Sequence, residues 1–292
     1  MDLGGKSLVI YSALVGAYDI VPQPQVVDDS FDYVLFSNDI DVDRLGVWQI
    51  RRIPYSNADN TRLSRWVKTH PDDLLPEYKA SVWIDANVVI QSSFIYARVR
   101  DLISQNVEIS SMWHNERNCI YDEAAVVAYR GLEKETIVLN WLRKLKLTSF
   151  PHHLGLFETN VIYRVHHIEN TIVFDNEWWD CIEHYSRRDQ LSFNYCLWKM
   201  DITCPFFISS TENTRNSNHF QCIAHKNSRE YFDSKRDIVH YCRALSWYNP
   251  ERLRRVYERL VRFRWFLFIR FFLVFYYRIV CFVSYLKRLL SS

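Results

Sequence analysis

Two oxygen-bearing side chains follow a strand-like apolar run near residue 84. The sequence VWIDANVVI at 82–90 places Asp85 and Asn87 two residues apart, so both side chains would face the same side of an extended segment. Carboxylate and amide oxygens suit a hard divalent cation such as Mg²⁺ or Mn²⁺, which completes its shell with phosphate and water. The pair is therefore a candidate metal–diphosphate site. The alternative is a structural Asp–Asn turn at the end of the strand.

Three basic residues recur at every third position just upstream of this strand. Arg62, Arg65 and Lys68 would span about a third of the circumference of a helix. A basic strip of this kind suits phosphate oxygens, and it would complement a metal that shares a diphosphate. The same spacing also fits a helix face that is simply solvated.

Polar residues also follow the first two predicted strands. Ser12 lies near the end of the first strand, Tyr18 and Asp19 follow it after Gly16, and Asn38 follows the second strand. The loop after the first strand of an α/β sheet commonly contacts a nucleotide, and a glycine permits close backbone approach. These four polar residues are therefore candidates to line a nucleotide pocket.

Candidates for acid–base chemistry lie in three later segments. His114 opens a dense polar cluster, Glu158 precedes an apolar run, and Asp189 opens an amphipathic helix. Arg188 and Gln190 flank Asp189, and a carboxylate beside an arginine stays ionised at neutral pH. Such a carboxylate can orient a hydroxyl group or act as a base. The alternative is that these groups cap or charge helix termini.

Strand-like and helix-like segments alternate upstream of residue 150, and this alternation must position the candidate residues. It predicts an α/β fold with a mainly parallel sheet whose ligands bind beyond the carboxyl ends of the strands. The predicted strands are 7–14, 33–37, 47–53 and 81–85, and the predicted helices are 61–68, 94–106, 121–132 and 133–147.

Composition restricts the class of protein. Of the 292 residues, 48% are hydrophobic and 16% aromatic, which allows a sizeable core and excludes wholesale disorder. A net charge of only +2 argues against nucleic-acid binding. Seven cysteines without a CxxC spacing indicate reduced thiols in a cytosolic protein, and the N-terminus lacks a secretory signal pattern.

The composition changes near residue 249. Residues 251–264 are strongly basic, and residues 265–286 are almost wholly apolar and aromatic apart from two arginines and a serine. Internal arginines disfavour a membrane span, whereas an interfacial helix can place its arginines on lipid phosphates. We therefore predict a catalytic domain at 1–248 and an amphipathic helical region at 249–292, and we expect a cytoplasmic protein that is peripheral on the inner face of the membrane through 251–292. The alternatives are a core or dimer helix and a true span.

Four segments stand in the order found in one glycosyltransferase-like family. They are YSALVGAYD at 11–19, WIDAN at 83–87, the stretch from His114 to RNCIYDEA at 117–124, and RDQLSF at 188–193. The chain resembles this family over most of residues 7–230. The family was long catalogued as a domain of unknown function, and it includes plant Golgi proteins linked to mucilage polysaccharide and bacterial proteins from surface-glycan clusters.

The resemblance implies a GT-A fold, which is Rossmann-like, and a nucleotide-diphosphate-sugar donor. It also implies that Asp85 and Asn87 stand where GT-A enzymes carry an Asp-x-Asp metal motif, and the asparagine departs from that pattern. GT-A enzymes often add a late histidine to the metal or diphosphate. His225, followed by Lys226, is our candidate for that role.

On this interpretation Asp189 would be the general base of an inverting reaction, or would stabilise an oxocarbenium-like centre in a retaining one. Glu158 and His114 would face the acceptor and the donor sugar. We expect the acceptor to be a glycan, lipid-linked or part of a lipopolysaccharide or capsule, at the membrane surface. The alternatives are a ceramide-like lipid hydrolase, against which stands the lack of HExxH and GxSxG motifs, and a non-catalytic glycan-binding protein.

Overall fold

The computed structural model describes residues 7–17, 19 and 21–223. All of them belong to one compact unit that spans Met1–Asn227. The predicted domain boundary at 248/249 and the predicted membrane-association region lie outside the described residues. So do three candidate site residues, Tyr18, His225 and Lys226.

A seven-stranded sheet forms the centre of the described unit, with strand order β3-β4-β2-β1-β5-β8-β7. Strands β1, β2, β4, β5 and β7 run in one direction, and β3 and β8 run against it, which confirms the mixed, mainly parallel α/β fold. A separate antiparallel pair joins β6 to β9. The nine strands of the described region are β1 Leu8–Ala13, β2 Phe31–Phe36, β3 Arg44–Leu45, β4 Trp48–Arg51, β5 Ala80–Ile84, β6 Val88–Ile90, β7 Ile109–Trp113, β8 Phe157–Val165 and β9 Phe220–Cys222.

Seven helices connect these strands within the described residues. The four predicted helices are present as α1 and α3 to α5, with ends that differ from the predictions by up to three residues. They are α1 Asn60–Thr69, α2 Pro71–Leu74, α3 Phe94–Ser104, α4 Ile120–Tyr129, α5 Glu135–Leu147, α6 Glu169–His184 and α7 Gln190–Lys199. None of the helices in the described residues combines the length and the hydrophobicity of a membrane-spanning helix.

The first strand shows how helices cover both faces of the sheet. Ile10 belongs to a buried cluster that also contains Ile95 and Val99 of α3. The next residue, Tyr11, donates from its hydroxyl to the carbonyl of Lys68 in α1 at 2.9 Å. Successive side chains therefore reach opposite layers. This two-sided burial explains why the strand reads as a continuous apolar run rather than an alternating one.

The same layering brings the candidate site together. Helix α1 packs against β1 and α6, and α6 in turn packs against α7. The basic strip of α1 therefore lies close to the start of α7 and to the carboxyl ends of the central strands.

Candidate active site

Asp85 and Asn87 lie in a tight turn between β5 and β6. The amide of Val88 donates to the carbonyl of Asp85 at 2.8 Å, which closes the turn. The pair thus forms a turn at the strand end and not the extended segment that we predicted, because the Asp-Ala-Asn sequence favours turn conformations. Two further backbone bonds hold the turn, from the Asp85 amide to Asn160 O and from the Ile223 amide to Asn87 O, both at 2.9 Å.

Lys68 is fully buried and joins Asp85 to Asp189. Its Nζ lies 2.5 Å from Asp189 Oδ2 and 3.4 Å from Asp85 Oδ1. The rings of Trp83 and Trp178 flank the ammonium group at 5.3 and 5.9 Å, within the range of cation–π attraction. The indole N–H of Trp83 also donates to Asp85 Oδ1 at 2.7 Å. Lys68 is therefore part of the Asp85 site.

The carboxylate of Asp189 is buried and fully paired. Besides Lys68, it accepts a hydrogen bond from Thr159 Oγ1 at 2.8 Å and forms an ion pair with Arg65 Nε at 3.1 Å. Burial alone would raise the pKa of Asp189, but Arg65 and Lys68 hold it well below its ordinary value. A carboxylate that binds protons so weakly is a poor proton acceptor. This environment argues against the role of general base that the sequence suggested.

A second buried network fixes the backbone of Lys68. Its carbonyl oxygen accepts hydrogen bonds from Tyr11 in β1 and from Arg164 in β8, at 2.9 and 2.5 Å. Arg164 is fully buried and also pairs with Asp175 of α6. Three elements thus hold the end of α1, which fixes the ammonium group beside Asp85.

Arg62 does not join this cluster. Its Nε and Nη2 atoms donate to the carbonyls of Ile182 and Tyr185 at 3.2 Å, and its Nη1 pairs with Asp59. Asp59 also caps α1 by accepting from the amides of Thr61 and Arg62. The guanidinium group therefore fastens α1 to the end of α6, which is a structural role.

Glu158 lies in β8, two residues from Asn160, in a separate polar group. One carboxylate oxygen pairs with Arg215, and the other accepts from Asn160 Nδ2 at 3.1 Å. Asn160 Nδ2 also donates to Thr214 Oγ1 at 2.7 Å. The pKa of Glu158 is raised by burial, although its ion pair with Arg215 opposes this shift. Of the two candidate carboxylates, Glu158 is therefore the better proton acceptor.

Asn160 connects Glu158 to the Asp85 turn. Its carbonyl accepts from the amide of Asp85, and its side-chain nitrogen binds Glu158. Its side-chain oxygen is buried and has no hydrogen-bond partner among the described residues. A buried amide oxygen without a partner is costly, so this atom is suited to bind a ligand. The sequence prediction did not include Asn160, although the residue stands beside Glu158 in the segment GLFETN.

His114 is held as a neutral ring beside β7. Its Nδ1 accepts from the amides of Glu116 and Arg117 at 3.2 and 3.1 Å, and its Nε2 lies 3.2 Å from Nη2 of Arg117 and 3.8 Å from Glu123 Oε2. Burial and the neighbouring Arg117 lower the pKa of His114 to about 4. Arg117 pairs with Glu123 at 2.5 Å. The ring therefore orders the loop that carries Arg117, and it is not a proton donor at neutral pH.

Arg188 and Gln190 flank Asp189 and have unused donors. Nε of Arg188 and Nε2 of Gln190 are buried and, within the described part of the chain, have no hydrogen-bond partner. Burial lowers the pKa of Arg188, and Asp189, Arg65 and Asp85 all act on its charge. Buried donors without partners indicate a place where acceptor oxygens of a ligand belong.

The candidate nucleotide residues take different positions. Ser12 is buried at the end of β1, and its hydroxyl has no hydrogen-bond partner among the residues described. Asn38 is exposed and accepts from the amide of Ile53 at 3.0 Å, which is a structural contact. Asp19 is partly buried.

Asp39 is a residue near this region that the sequence prediction left out. Its Oδ2 accepts from the amides of Gly16 and Ala17, at 2.6 and 3.3 Å. Both residues have positive φ, +71° and +47°, and a Cβ at position 16 would lie 2.3 Å from Asn60 Nδ2. Asp39 and Gly16 therefore shape the loop after β1.

Six of the predicted residues, together with Asn160, thus form two groups near the carboxyl end of β5. The first contains Arg65, Lys68, Asp85, Arg188 and Asp189. The second contains Glu158 and Asn160, and Asn160 links it to the first through the Asp85 turn. The first group is completed by Trp83, Trp178 and Thr159. Aromatic and threonine residues are common in strands and helices, so the sequence carries no signal that would have identified these three.

Comparison with known proteins identifies the family of this chain. A family model described as "TOD1/MUCI70, glycosyltransferase-like domain" matches residues 3–226. The chain belongs to this family. The TOD1/MUCI70 match covers every described element of the fold, including both polar groups. No curated protein matches the chain.

Among solved structures, the chain is similar to a WbbM bifunctional glycosyltransferase in its apo form. The sequence identity is 11%, the TM-score is 0.38, and the match covers 72% of this chain and 41% of that one. The chain therefore spans less than half the length of that structure. The assignment to the TOD1/MUCI70 family rests on the family match.

Proposed function

We propose that this protein is a glycosyltransferase that moves a sugar from a nucleotide-diphosphate-sugar donor to a glycan acceptor. The observation that carries the proposal is the first polar group: three buried or half-buried cations, Arg65, Lys68 and Arg188, face two carboxylates, Asp85 and Asp189. The excess positive charge and the unused donors suit a diphosphate, which gains negative charge as the sugar leaves.

The Asp85 turn has the ligand atoms that a hard divalent cation requires. The side chain of Asp85 is 27% exposed, and its contacts with Trp83 and Lys68 involve Oδ1. Asn87 binds Ile223 O through Nδ2 at 3.2 Å. Asp85 Oδ2, Asn87 Oδ1 and Asn160 Oδ1, which has no hydrogen-bond partner among the described residues, would offer the all-oxygen ligands that Mg²⁺ or Mn²⁺ prefers. A cation bound there would neutralise charge on the departing diphosphate.

The donor phosphates would meet Arg188 and Gln190. Within the described part of the chain, both side chains have a buried nitrogen without a hydrogen-bond partner. Arg65 and Lys68 add positive charge while they hold Asp189. Asp189 thereby keeps the cations in place, and its own oxygens are already used. The nucleotide would lie against the end of β1 and the loop that follows, where the hydroxyl of Ser12 has no hydrogen-bond partner among the described residues.

Glu158 would take the proton from the acceptor hydroxyl. Its raised pKa increases the proton affinity of the carboxylate, and Asn160 couples it to the Asp85 turn. Arg215, whose side chain is 59% exposed, is the partner that an incoming acceptor would have to displace or share.

A thermal-shift titration with UDP-, GDP- and CMP-sugars, with and without Mn²⁺, tests the proposal. A diphosphate donor at about 100 times its Kd should stabilise the protein by about 2.7 kcal/mol, whereas a CMP-sugar, with one phosphate, should not. D85A should remove the Mn²⁺-dependent part of the shift. The control D41A changes an aspartate that is 91% exposed and should keep the full shift. Equal shifts for D85A and the native protein would refute the metal–diphosphate role.

The acceptor and location belong to the same proposal. We propose that residues 251–292 hold the enzyme at the inner, cytoplasmic face of the membrane, where a lipid-linked, lipopolysaccharide or capsule glycan would be presented. The support is the basic and aromatic composition of that segment. Deletion of 251–292 should release the protein from anionic vesicles and leave donor binding intact. Continued sedimentation of the truncated protein with vesicles would overturn the assignment.

A further inference from the structure

We infer that Cys119, Asp122 and His153 form a second metal site, and that this site takes zinc. Among the described residues, one sulfur, one carboxylate oxygen and one imidazole nitrogen of these side chains lie within 4.8 Å of one another. Cys119 immediately precedes α4, Asp122 lies in its first turn, and His153 lies in the loop before β8. None of these three residues belongs to either group of the proposed active site.

The ligand types select the metal. A thiolate, an imidazole and a carboxylate are the groups that zinc binds, whereas Mg²⁺ and Ca²⁺ prefer oxygen alone. The imidazole of His152 adds a fourth donor within reach, because its Nδ1 lies 4.0 Å from Cys119 Sγ. The fourth position of a tetrahedral zinc ion would be filled by this ring or by water.

The separations are compatible with zinc. Bonds of about 2.0–2.3 Å in a tetrahedron place neighbouring ligand atoms roughly 3.3–3.6 Å apart. The three atoms lie within 4.8 Å of each other, so zinc binding requires them to approach by at most about 1.5 Å. Cys119 is buried, but Asp122 is half-buried and His153 is exposed, so rotation of the latter two side chains can supply this movement.

Asn118 prepares the histidine for this role. The side-chain oxygen of Asn118 lies 2.9 Å from His153 Nδ1, so Nδ1 donates and the lone pair is left on Nε2. A histidine that binds a metal commonly donates its other ring N–H to an oxygen in this way. The backbone adds two supports, since the amide of His153 lies 3.4 Å from Cys119 Sγ and the amide of Gly155 donates to Asn118 O at 3.0 Å.

The metal would fasten two loops that border the proposed active site. One runs from His114 to Cys119 and carries Arg117; the other precedes β8, which carries Glu158. When zinc binds, the Cys119 thiol loses its proton to solvent and the sulfur bonds to the metal. The expected role of the site is therefore structural, and zinc binding should not require the donor nucleotide.

Cobalt substitution provides the test, with the tag-free full chain stripped of metal by a chelator. Addition of Co²⁺ should give a thiolate-to-cobalt charge-transfer band at one equivalent, and Zn²⁺ should displace it. C119S should abolish the band, and H153A, at an exposed position, should weaken Co²⁺ binding at least about 10-fold. The matched controls C204S and H184A should keep the native band.

The D85A variant separates this site from the proposed transferase site. D85A should keep the cobalt–thiolate band even though it loses the Mn²⁺-dependent donor shift. The inference is overturned if the native protein shows no charge-transfer band, or if the band survives in both C119S and H153A. A band that disappears in D85A would also overturn it, because the metal would then belong to the first site.

Discussion

The replacement of Asp189 by asparagine is the sharpest test of the buried charge cluster. D189N keeps the shape of the side chain but removes the charge that neutralises Arg65 and Lys68. Lys68 is 0% exposed, and its remaining carboxylate, on Asp85, is 3.4 Å away. Loss of one partner from a buried ion pair costs about 3–5 kcal/mol, because the other charge stays buried without compensation. For a unit of this size, that corresponds to a fall in Tm of about 6–20 °C.

Urea denaturation followed by circular dichroism, together with calorimetry, would measure the change. The control is E177Q, which breaks the surface pair at 2.7 Å between Glu177 of α6 and Lys199 of α7. Its cost should stay below about 1 kcal/mol, since the side chains are solvated. The double variant K68M/D189N should recover part of the loss.

The difference in unfolding free energy between the native protein and D189N should depend on pH, because the pKa of Asp189 is lowered in the folded state. A lowered pKa in the folded state means that the stabilisation is fully present above the unfolded pKa, about 4, and is lost as the pH falls further. The difference in unfolding free energy between the native protein and D189N should therefore be constant from pH 5 to 8 and become smaller below pH 4. A D189N variant within 1 kcal/mol of the native protein at pH 7 would refute the reasoning.

Three further predictions concern the remaining polar residues. E158Q should lower kcat, measured as nucleotide release, by about 10²–10⁴-fold and leave the donor KM unchanged. The exposed control E183Q should keep the native kcat. Equal kcat values for E158Q and the native protein would exclude Glu158 as the base. R188A should raise donor KM more than it lowers kcat, and an unchanged KM would place the phosphates elsewhere. Burial lowers the pKa of both His114 and His166 from 6.5 to about 4, so the free energy of unfolding should fall as the pH drops from 6.5 to 4. In urea titrations, H114Q should make this fall with pH less steep. An unaltered pH dependence in H114Q would contradict the prediction.

Local patterns determined much of the fold. Short β-branched runs and helical spacing correctly indicated an α/β fold with a mainly parallel sheet, because strand and helix periodicities depend on neighbours in the chain. The helices at 61–68, 94–106 and 133–147 are present with small changes at their ends. The four ordered segments were enough to indicate the glycosyltransferase-like family, which the family match confirms.

Pairings between distant residues were decided by the tertiary structure alone. Arg62 and Arg65 have the same side-chain type on one helix, yet Arg62 binds the carbonyls that end α6 and Arg65 binds Asp189. Their helix faces were predictable, but their partners depend on how α6 and α7 pack against α1.

The division of roles between the two carboxylates has the same origin. Both Asp189 and Glu158 are buried, and burial by itself favours the protonated form. Asp189 receives two cations and a hydroxyl and stays ionised, whereas Glu158 keeps a raised pKa beside one exposed arginine. The sequence by itself identified both groups and placed Asp85 at a strand end; which carboxylate can accept a proton was decided by charges brought near it from elements far apart in the chain.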